Sequence, residues 1–267
     1  MLTFIGLGLY DERSITVEGK EALRDADRVF AEFYTSTLVG TTVAELEEYH
    51  DTQIEVRDRE GVERSPGEIL DAAETADVAF LTAGDTMIST THVDLRLRAH
   101  DRDIETRVVH GTTAQAAASA LTGLQNYRFG KATTLPFAYA HGADGLPASV
   151  TETIDENRDR GLHTLVYLDI KVDNAAAVAR SEDDEIEEYM TASTAAEYLV
   201  DEYPETLGVV VARAGSPDPV VVADSMRGLA SRSFGGPLHL LVVPGELHHV
   251  ERDALRDLAD APDSSLD

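Results

Sequence analysis

Between Met1 and His110 the chain alternates short continuous apolar runs with stretches whose apolar residues recur at helical spacing, and this alternation constrains its fold more than any other feature. Residues 2–7, 29–33, 54–57 and 78–81 read as strands. The last is an unbroken apolar run of the kind buried on both faces of a parallel sheet. Between them, Ile15, Gly19, Ala22, Leu23 and Ala26 fall on one helical face, and residues 43–49 form a short acidic helix. Ser65 is placed as an N-cap, with Pro66 in the first turn and Glu68 completing a capping box. A helix over 93–100 and a strand ending at His110 complete this half.

The second half begins with an alanine-rich helix over 114–121. Strands are expected at 131–136, 164–168, 207–214, 220–223 and 238–243, with helices at 150–160, 191–203 and from His248. Residues 138–149 read as a Gly/Pro-containing loop and 181–188 as a solvated acidic loop. The fold class is therefore α/β, with a largely parallel sheet in an N-terminal lobe, residues 1–112, and a mixed sheet with hairpins in a C-terminal lobe, residues 113–267.

Composition removes several function classes. The chain has no cysteine, which excludes disulfides, thiolate metal sites and cysteine nucleophiles. The apolar start lacks a basic leader and meets Asp11, Glu12 and Arg13 at once, and no run approaches membrane-span length, so a cytoplasmic location is expected. Fifty Asp and Glu against 22 Lys and Arg give a formal net charge of −28, spread along the chain. A basic partner is one explanation; adaptation to high salt, which screens self-repulsion, is the favoured one.

Ligands of parallel sheets bind outside the carboxyl ends of the strands. Four polar or small-residue segments are expected at strand ends: Gly6 to Glu12, Ala83 to His92, His110 to Thr113, and Ala212 to Ser216. The first is not a dinucleotide fingerprint, because Asp11 stands where that motif needs glycine. In the second, Asp85 is either a ligand-holding carboxylate or a cap for the next helix. His248 and His249 lack a third ligand at metal spacing, so no metal is expected, and no Gly-x-Ser-x-Gly elbow is present.

Read together, FIGLGLYDER, VFAEFYTS, AGDTMISTTHVDLRLRA, LTGLQNYRFGK, RGLHTLVYLDIK, VVVARAGS and LHLLVVPGELHHVE resemble, in order, the segments of the diphthine synthases, from Met1 to about Pro262. AEFYTS and TTHVDLRLRA set that family apart from its fold relatives, the tetrapyrrole methylases. The resemblance implies two α/β lobes with the active site in the cleft between them, S-adenosylmethionine as methyl donor, and a homodimer. It also implies a protein substrate, translation elongation factor 2 carrying an aminocarboxypropyl-histidine, whose amine is methylated to give diphthine in diphthamide biosynthesis. Carried over by position, the donor contacts are Leu9, Asp85, Ile88, Thr113, Ala114, Leu168, Ala212 and His239. Thr86, Thr113 and Ala114 depart from the family's usual residues, and residues 138–149 are atypical.

An ammonium has no lone pair, so the amine must lose a proton before each methylation. Tyr34, Thr90, Thr91 and His92 are candidates to line the acceptor side, with helix capping as the competing role for Thr91 and His92, and no general base is assigned. Two other functions stay open at this point: a same-fold methyltransferase acting on a tetrapyrrole or ribosomal RNA, and a non-catalytic module that docks on the translation factor.

Overall fold

The computed structural model describes residues 1–141, 146–172 and 187–266. Its backbone divides into two compact units, Met1–Thr113 with Ile170–Glu188, and Ala114–Asp169 with Tyr189–Asp267.

The first unit is built on β1 (Leu2–Gly6), β2 (Arg28–Glu32), β3 (Glu55–Val56), β4 (Val78–Thr82) and β5 (Thr106–Val109), in the order β3-β2-β4-β1-β5. Every pairing in this sheet is parallel. Side-chain alternation divides it into two apolar faces. Leu2, Phe4, Phe30, Val78 and Phe80 point to one face, which α3 (Gly67–Ala73) and α4 (Val93–His100) cover through Ile69, Leu70 and Leu95. Ile5, Val29, Ala31, Ala79 and Leu81 point to the other, covered by Leu23 of α1 (Val17–Arg24) and Leu46 of α2 (Val43–His50). All five residues of β4 are buried, as the unbroken apolar run requires.

The second unit holds α5 (Ala114–Thr122), β6 (Thr133–Leu135), α6 (Ala148–Asp159), β7 (Thr164–Leu168), α7 (Ala192–Leu199), β10 (Leu207–Ala212), β11 (Val220–Ser225), α8 (Met226–Ala230), β12 (His239–Val243) and α9 (His249–Ala259). Between β7 and α7, β8 (Ile170–Val172) and β9 (Glu187–Tyr189) form a separate two-stranded sheet. The five-stranded sheet has the order β11-β10-β12-β7-β6 and is mixed: β6 and β7 are parallel, the others antiparallel. Val166, Val210, Leu241 and Val243 pack under α6, α7 and α8, while Leu165, Val209, Val211 and Val242 face α5 and α9.

Local readings failed in identifiable places. Ser65 is no capping box: α3 starts at Gly67 with Pro66 as its cap and no side-chain cap bond. A π-helical turn over Glu60–Arg64 intervenes, the Ser65 hydroxyl donates to Glu60, and Glu68 turns to Arg28 and Arg57. Helix α7 ends at Leu199, short of the expected 203, and the short α8 was not anticipated. Of the acidic loop at 181–188, residues 181–186 lie outside the described residues and 187–188 belong to β9. Of the loop at 138–149, residues 142–145 lie outside them, and α6 already begins at Ala148.

Candidate active site

Strand order locates the site in the first unit. β1 and β4 are parallel neighbours, yet the helices that follow them, α1 and α4, lie on opposite faces of the sheet. This is a topological switch point, where diverging connections leave a crevice outside the carboxyl ends of the strands. Two of the loops singled out in the sequence flank it. They are stitched together by a reciprocal backbone pair, Gly8 N–H to Gly84 O at 3.1 Å and Gly84 N–H to Gly8 O at 2.7 Å. The loop after β5 closes in on both: a Cβ on Gly111 would stand 2.1 Å from Gly84 O, and one on Gly6 only 2.6 Å from Gly111 N. Three chain segments thus meet at a spacing that only glycine permits.

Asp85 holds this junction. It is 4 % exposed; Oδ1 accepts from Met87 N–H at 2.9 Å, and Oδ2 accepts from Gly111 N–H at 3.2 Å and lies 2.7 Å from His110 Nδ1. The carboxylate therefore braces the β4 loop against the β5 loop. It does not cap α4, whose N-cap position is His92. Leu9 and Thr113 are half-buried beside these loops, and Ile88 is an exposed apolar side chain at 43 %.

Backbone strain marks the same places. Tyr10, Ser89 and Arg213 have φ of 81°, 59° and 53°. Among the described residues, the other non-glycine positions at positive φ, Asp51, Asp103 and Asp260, end helices or the turns after them. Left-handed backbone in a bulky residue costs on the order of 1–3 kcal/mol and concentrates in ligand-binding loops. Tyr10, Ser89 and Arg213 lie in three of the four loops expected from the sequence to meet a ligand.

In the second unit, Leu168, Ala212 and His239 gather at one end of the mixed sheet. Ala212 and His239 are direct cross-strand partners, and Leu168 ends β7 one residue beyond the Tyr167–Leu240 pair. Ala114 is half-buried at the start of α5. Leu168, Ala212 and His239 are at most 8 % exposed, and the Ala212 methyl belongs to the core beneath the sheet end. His239 accepts from Ala192 N–H through Nδ1 at 3.0 Å and donates from Nε2 to Gly236 O at 2.8 Å. Burial keeps its pKa below the ordinary imidazole value, in line with a neutral ring that holds the start of α7. Arg213 donates to Phe234 O at 2.8 Å and fixes the adjoining turn.

A further group was only half visible in the sequence. Glu32, at the end of β2, is fully buried, as is His92, and Glu32 Oε1 lies 2.8 Å from His92 Nε2. Glu32 Oε2 accepts from the Tyr34 and Thr35 N–H groups at 3.0 Å each. Burial, then the charges of Glu32 and Glu63, push the Tyr34 phenol far above its usual value. Of the other acceptor-side candidates, Thr91 donates to Glu63 at 3.0 Å and Thr90 to Thr86 O at 2.5 Å. His92 makes no side-chain cap bond, so capping does not account for it. The signal for this group was a carboxylate ending an otherwise apolar run, VFAEFY.

A parallel sheet with a topological switch point, in a chain that also carries a mixed-sheet unit, is the architecture of a methylase of the tetrapyrrole type, as the family comparison shows. Residues 1–230 match the family model of Tetrapyrrole (Corrin/Porphyrin) Methylases, and the chain belongs to that family. It is 69 % identical over 266 residues to a diphthine synthase of Natronomonas pharaonis, covering 100 % of this chain and 98 % of the relative. It is 67 % identical to a diphthine synthase of Halobacterium salinarum over the full length of both. A crystal structure of diphthine synthase superposes with a TM-score of 0.87 at 35 % identity, covering 99 % of this chain and 98 % of the other. Within the wider family, the chain is a member of the diphthine synthases.

Proposed function

We infer that the chain is an S-adenosylmethionine-dependent methyltransferase of diphthamide biosynthesis. Its acceptor is the amine of an aminocarboxypropyl-histidine on translation elongation factor 2. The observation that carries this reading is the full-length identity to diphthine synthases, which spans every loop described above. The protein works as a homodimer in the cytoplasm. Among the described residues no helix is long and apolar enough to cross a membrane.

The residues present suit the donor. Gly84 has open space where a side chain would stand, and Leu9 and Ile88 supply apolar surface beside the braced loops. The proposed donor contacts are Leu9, Asp85, Ile88, Thr113, Ala114, Leu168, Ala212 and His239. When bound, the donor supplies a methyl already activated on a sulfonium. The protein's task is then alignment, which is worth up to about 7–11 kcal/mol. Asp85 acts as the brace that keeps the crevice in shape.

Asp85→Ala should weaken donor binding about tenfold or more, since losing charge-assisted bonds in a buried junction costs roughly 1.5–3 kcal/mol. Unchanged affinity by calorimetry would remove Asp85 from the donor site. The function itself is tested in concentrated KCl, with S-adenosylmethionine and elongation factor 2 carrying the unmethylated aminocarboxypropyl-histidine. Mass spectrometry of the modified peptide should show whole methyl additions on that residue. No addition by folded, donor-bound enzyme would overturn the substrate and redirect the search to tetrapyrrole or ribosomal RNA acceptors.

A further inference from the structure

The carboxyl ends of β3, β2 and β4 carry a charged cluster that the braced glycine junction does not include. The three strands are parallel neighbours, so the segments that follow them leave from one edge of the sheet. The segment after β2 brings Tyr34, the one after β3 brings Arg59 and Glu63, and the one after β4 brings Thr91. Glu63 Oε1 accepts from the Thr91 hydroxyl at 3.0 Å and lies 3.6 Å from the Arg59 guanidinium. The same guanidinium stands 4.9 Å from the centre of the Tyr34 ring. The Tyr34 hydroxyl is buried without a well-formed hydrogen bond, and Glu63 is among the charges that raise its pKa.

The cluster is anchored from beneath. The π-helical turn Glu60–Arg64 presents Glu63, and such turns are frequent at functional sites. Val62 seats the turn in the core that also takes Tyr34, and Arg98 of α4 donates to the Glu63 carbonyl at 3.1 Å. Glu32 fixes the flanking segments, since it accepts from the Tyr34 and Thr35 N–H groups and pairs with His92, the neighbour of Thr91. The charged tips stay within reach of a ligand: the Arg59 side chain is 62 % exposed and that of Glu63 27 %. Among the described residues Glu63 is the only acid paired with Arg59, and at 3.6 Å the contact is longer than a hydrogen bond. By contrast, Arg28, Arg102 and Arg256 each hold two carboxylates at 3.1 Å or less.

A guanidinium and a carboxylate set side by side, and loosely paired, complement a group that carries both a carboxylate and an amine. The aminocarboxypropyl group of the acceptor is such a group. We propose that Arg59 and Glu63 form the subsite for this end of the acceptor, the Arg59 guanidinium binding its carboxylate and the Glu63 carboxylate accepting from its amine. The inference rests on the methyltransferase reading given above. A two-pronged guanidinium–carboxylate contact fixes orientation as well as position. The Glu63 contact survives loss of the ammonium proton, because a free amine still has N–H groups to donate. Thr91 holds the Glu63 carboxylate, and the Tyr34 ring supports the Arg59 guanidinium. The segment from Ala83 to His92 then serves both ligands: its Asp85 end braces the donor crevice and its Thr91 end the acceptor subsite. The methionyl end of the donor carries the same amine and carboxylate, so the two sources are separated by experiment.

The test uses the full chain in concentrated KCl. Arg59→Gln, Glu63→Gln and Arg64→Gln are compared with the wild type in three measurements. These are KM toward elongation factor 2 carrying the unmethylated aminocarboxypropyl-histidine, S-adenosylmethionine affinity by calorimetry, and melting temperature. Arg59→Gln and Glu63→Gln should each raise the acceptor KM about tenfold or more, the scale of a lost charge-assisted hydrogen bond. Donor affinity and melting temperature should stay unchanged, since glutamine at 63 keeps an oxygen for Thr91. Arg59→Lys retains the charge and should recover part of the loss. Arg64 pairs with Glu60 in the same turn, and its variant should leave the acceptor KM as it was. An acceptor KM within about twofold of wild type in both Arg59→Gln and Glu63→Gln overturns the proposal. So does a loss of donor affinity in place of acceptor affinity, which assigns the pair to the donor's methionyl end. An equal rise in Arg64→Gln also overturns it, by reducing the effect to surface charge. A wild-type enzyme that binds the donor but does not methylate the elongation factor sinks the functional reading, and this inference with it.

Discussion

Replacing Glu251 by alanine should lower stability by about 3–5 kcal/mol, the loss of three hydrogen bonds to a carboxylate at roughly 1.5–3 kcal/mol each, less what water recovers at the part-buried donors. Glu251 is fully buried in the first turn of α9, and three elements of the second unit depend on it. Oε1 accepts from Gln125 N–H at 2.8 Å and from the His163 ring at 3.0 Å, and Oε2 accepts from His248 N–H at 2.8 Å. Alanine would leave the buried His163 ring, and the part-buried Gln125 and His248 N–H groups, without this acceptor. The melting temperature should fall by roughly 6–20 °C at fixed salt. A change under 2 °C, within about 1 kcal/mol for a chain of this size, would show that the pair is dispensable.

The same pair gives stability a pH dependence of definite sign. Burial raises the Glu251 pKa, but the Gln125 and His248 N–H groups and His163 outweigh it, and the net value is lowered. Burial lowers that of His163, against the opposing pull of Glu251. Both groups therefore bind fewer protons folded than unfolded, and stability rises with pH through their ranges. On acidification, the His163 contribution should start to be lost just below about pH 6.5, and that of Glu251 below about pH 4.3. Glu251→Ala should abolish the lower stage and deepen the upper one, because it removes the carboxylate that opposes the effect of burial on His163.

Transfer from molar KCl to about 0.1 M should unfold the protein or remove most of a stability margin that for typical domains is only about 5–15 kcal/mol. The Debye length then grows from about 3 Å to about 10 Å, and carboxylates on neighbouring helices begin to repel one another. The formal net charge of −28 leaves many acids without a basic side chain to pair with. Several arginines already serve two carboxylates: Arg28 contacts Glu55 and Glu68, Arg102 contacts Asp71 and Glu74, and Arg256 contacts Asp253 and Asp263. The sign is diagnostic. Were exposed ion pairs dominant, salt would weaken them and destabilise the protein; with net repulsion dominant, salt stabilises it. A melting temperature indifferent to KCl would refute salt adaptation as the reason for the acidity.

What could be read from the chain follows the range of the forces involved. The apolar runs at β4, β7, β10 and β12 are short-range patterns, and each of those elements formed within a few residues of its expected bounds. The capping box at Ser65 was equally local in form. It failed because Glu60, five residues upstream, took the hydroxyl. The family, too, was legible, since ordered loop segments such as AGDTMISTTHVDLRLRA are themselves local strings.

Whether Asp85 meets a ligand directly or braces its loops could not be read from spacing, because its partners His110 and Gly111 follow β5, two strands away in the sheet. Glu32 stood out as a carboxylate in an apolar strand, but its partner His92 lies sixty residues away. By itself, the sequence determined the elements, their apolar faces, the family and the excess of negative charge. Only the tertiary structure decided that β1 and β4 lie side by side with connections leaving on opposite faces, and that His92 turns inward to Glu32 instead of capping its helix. Strand order and buried pairing are settled by which distant segments can exclude water together and satisfy one another's hydrogen bonds, and no window of neighbouring residues carries that information.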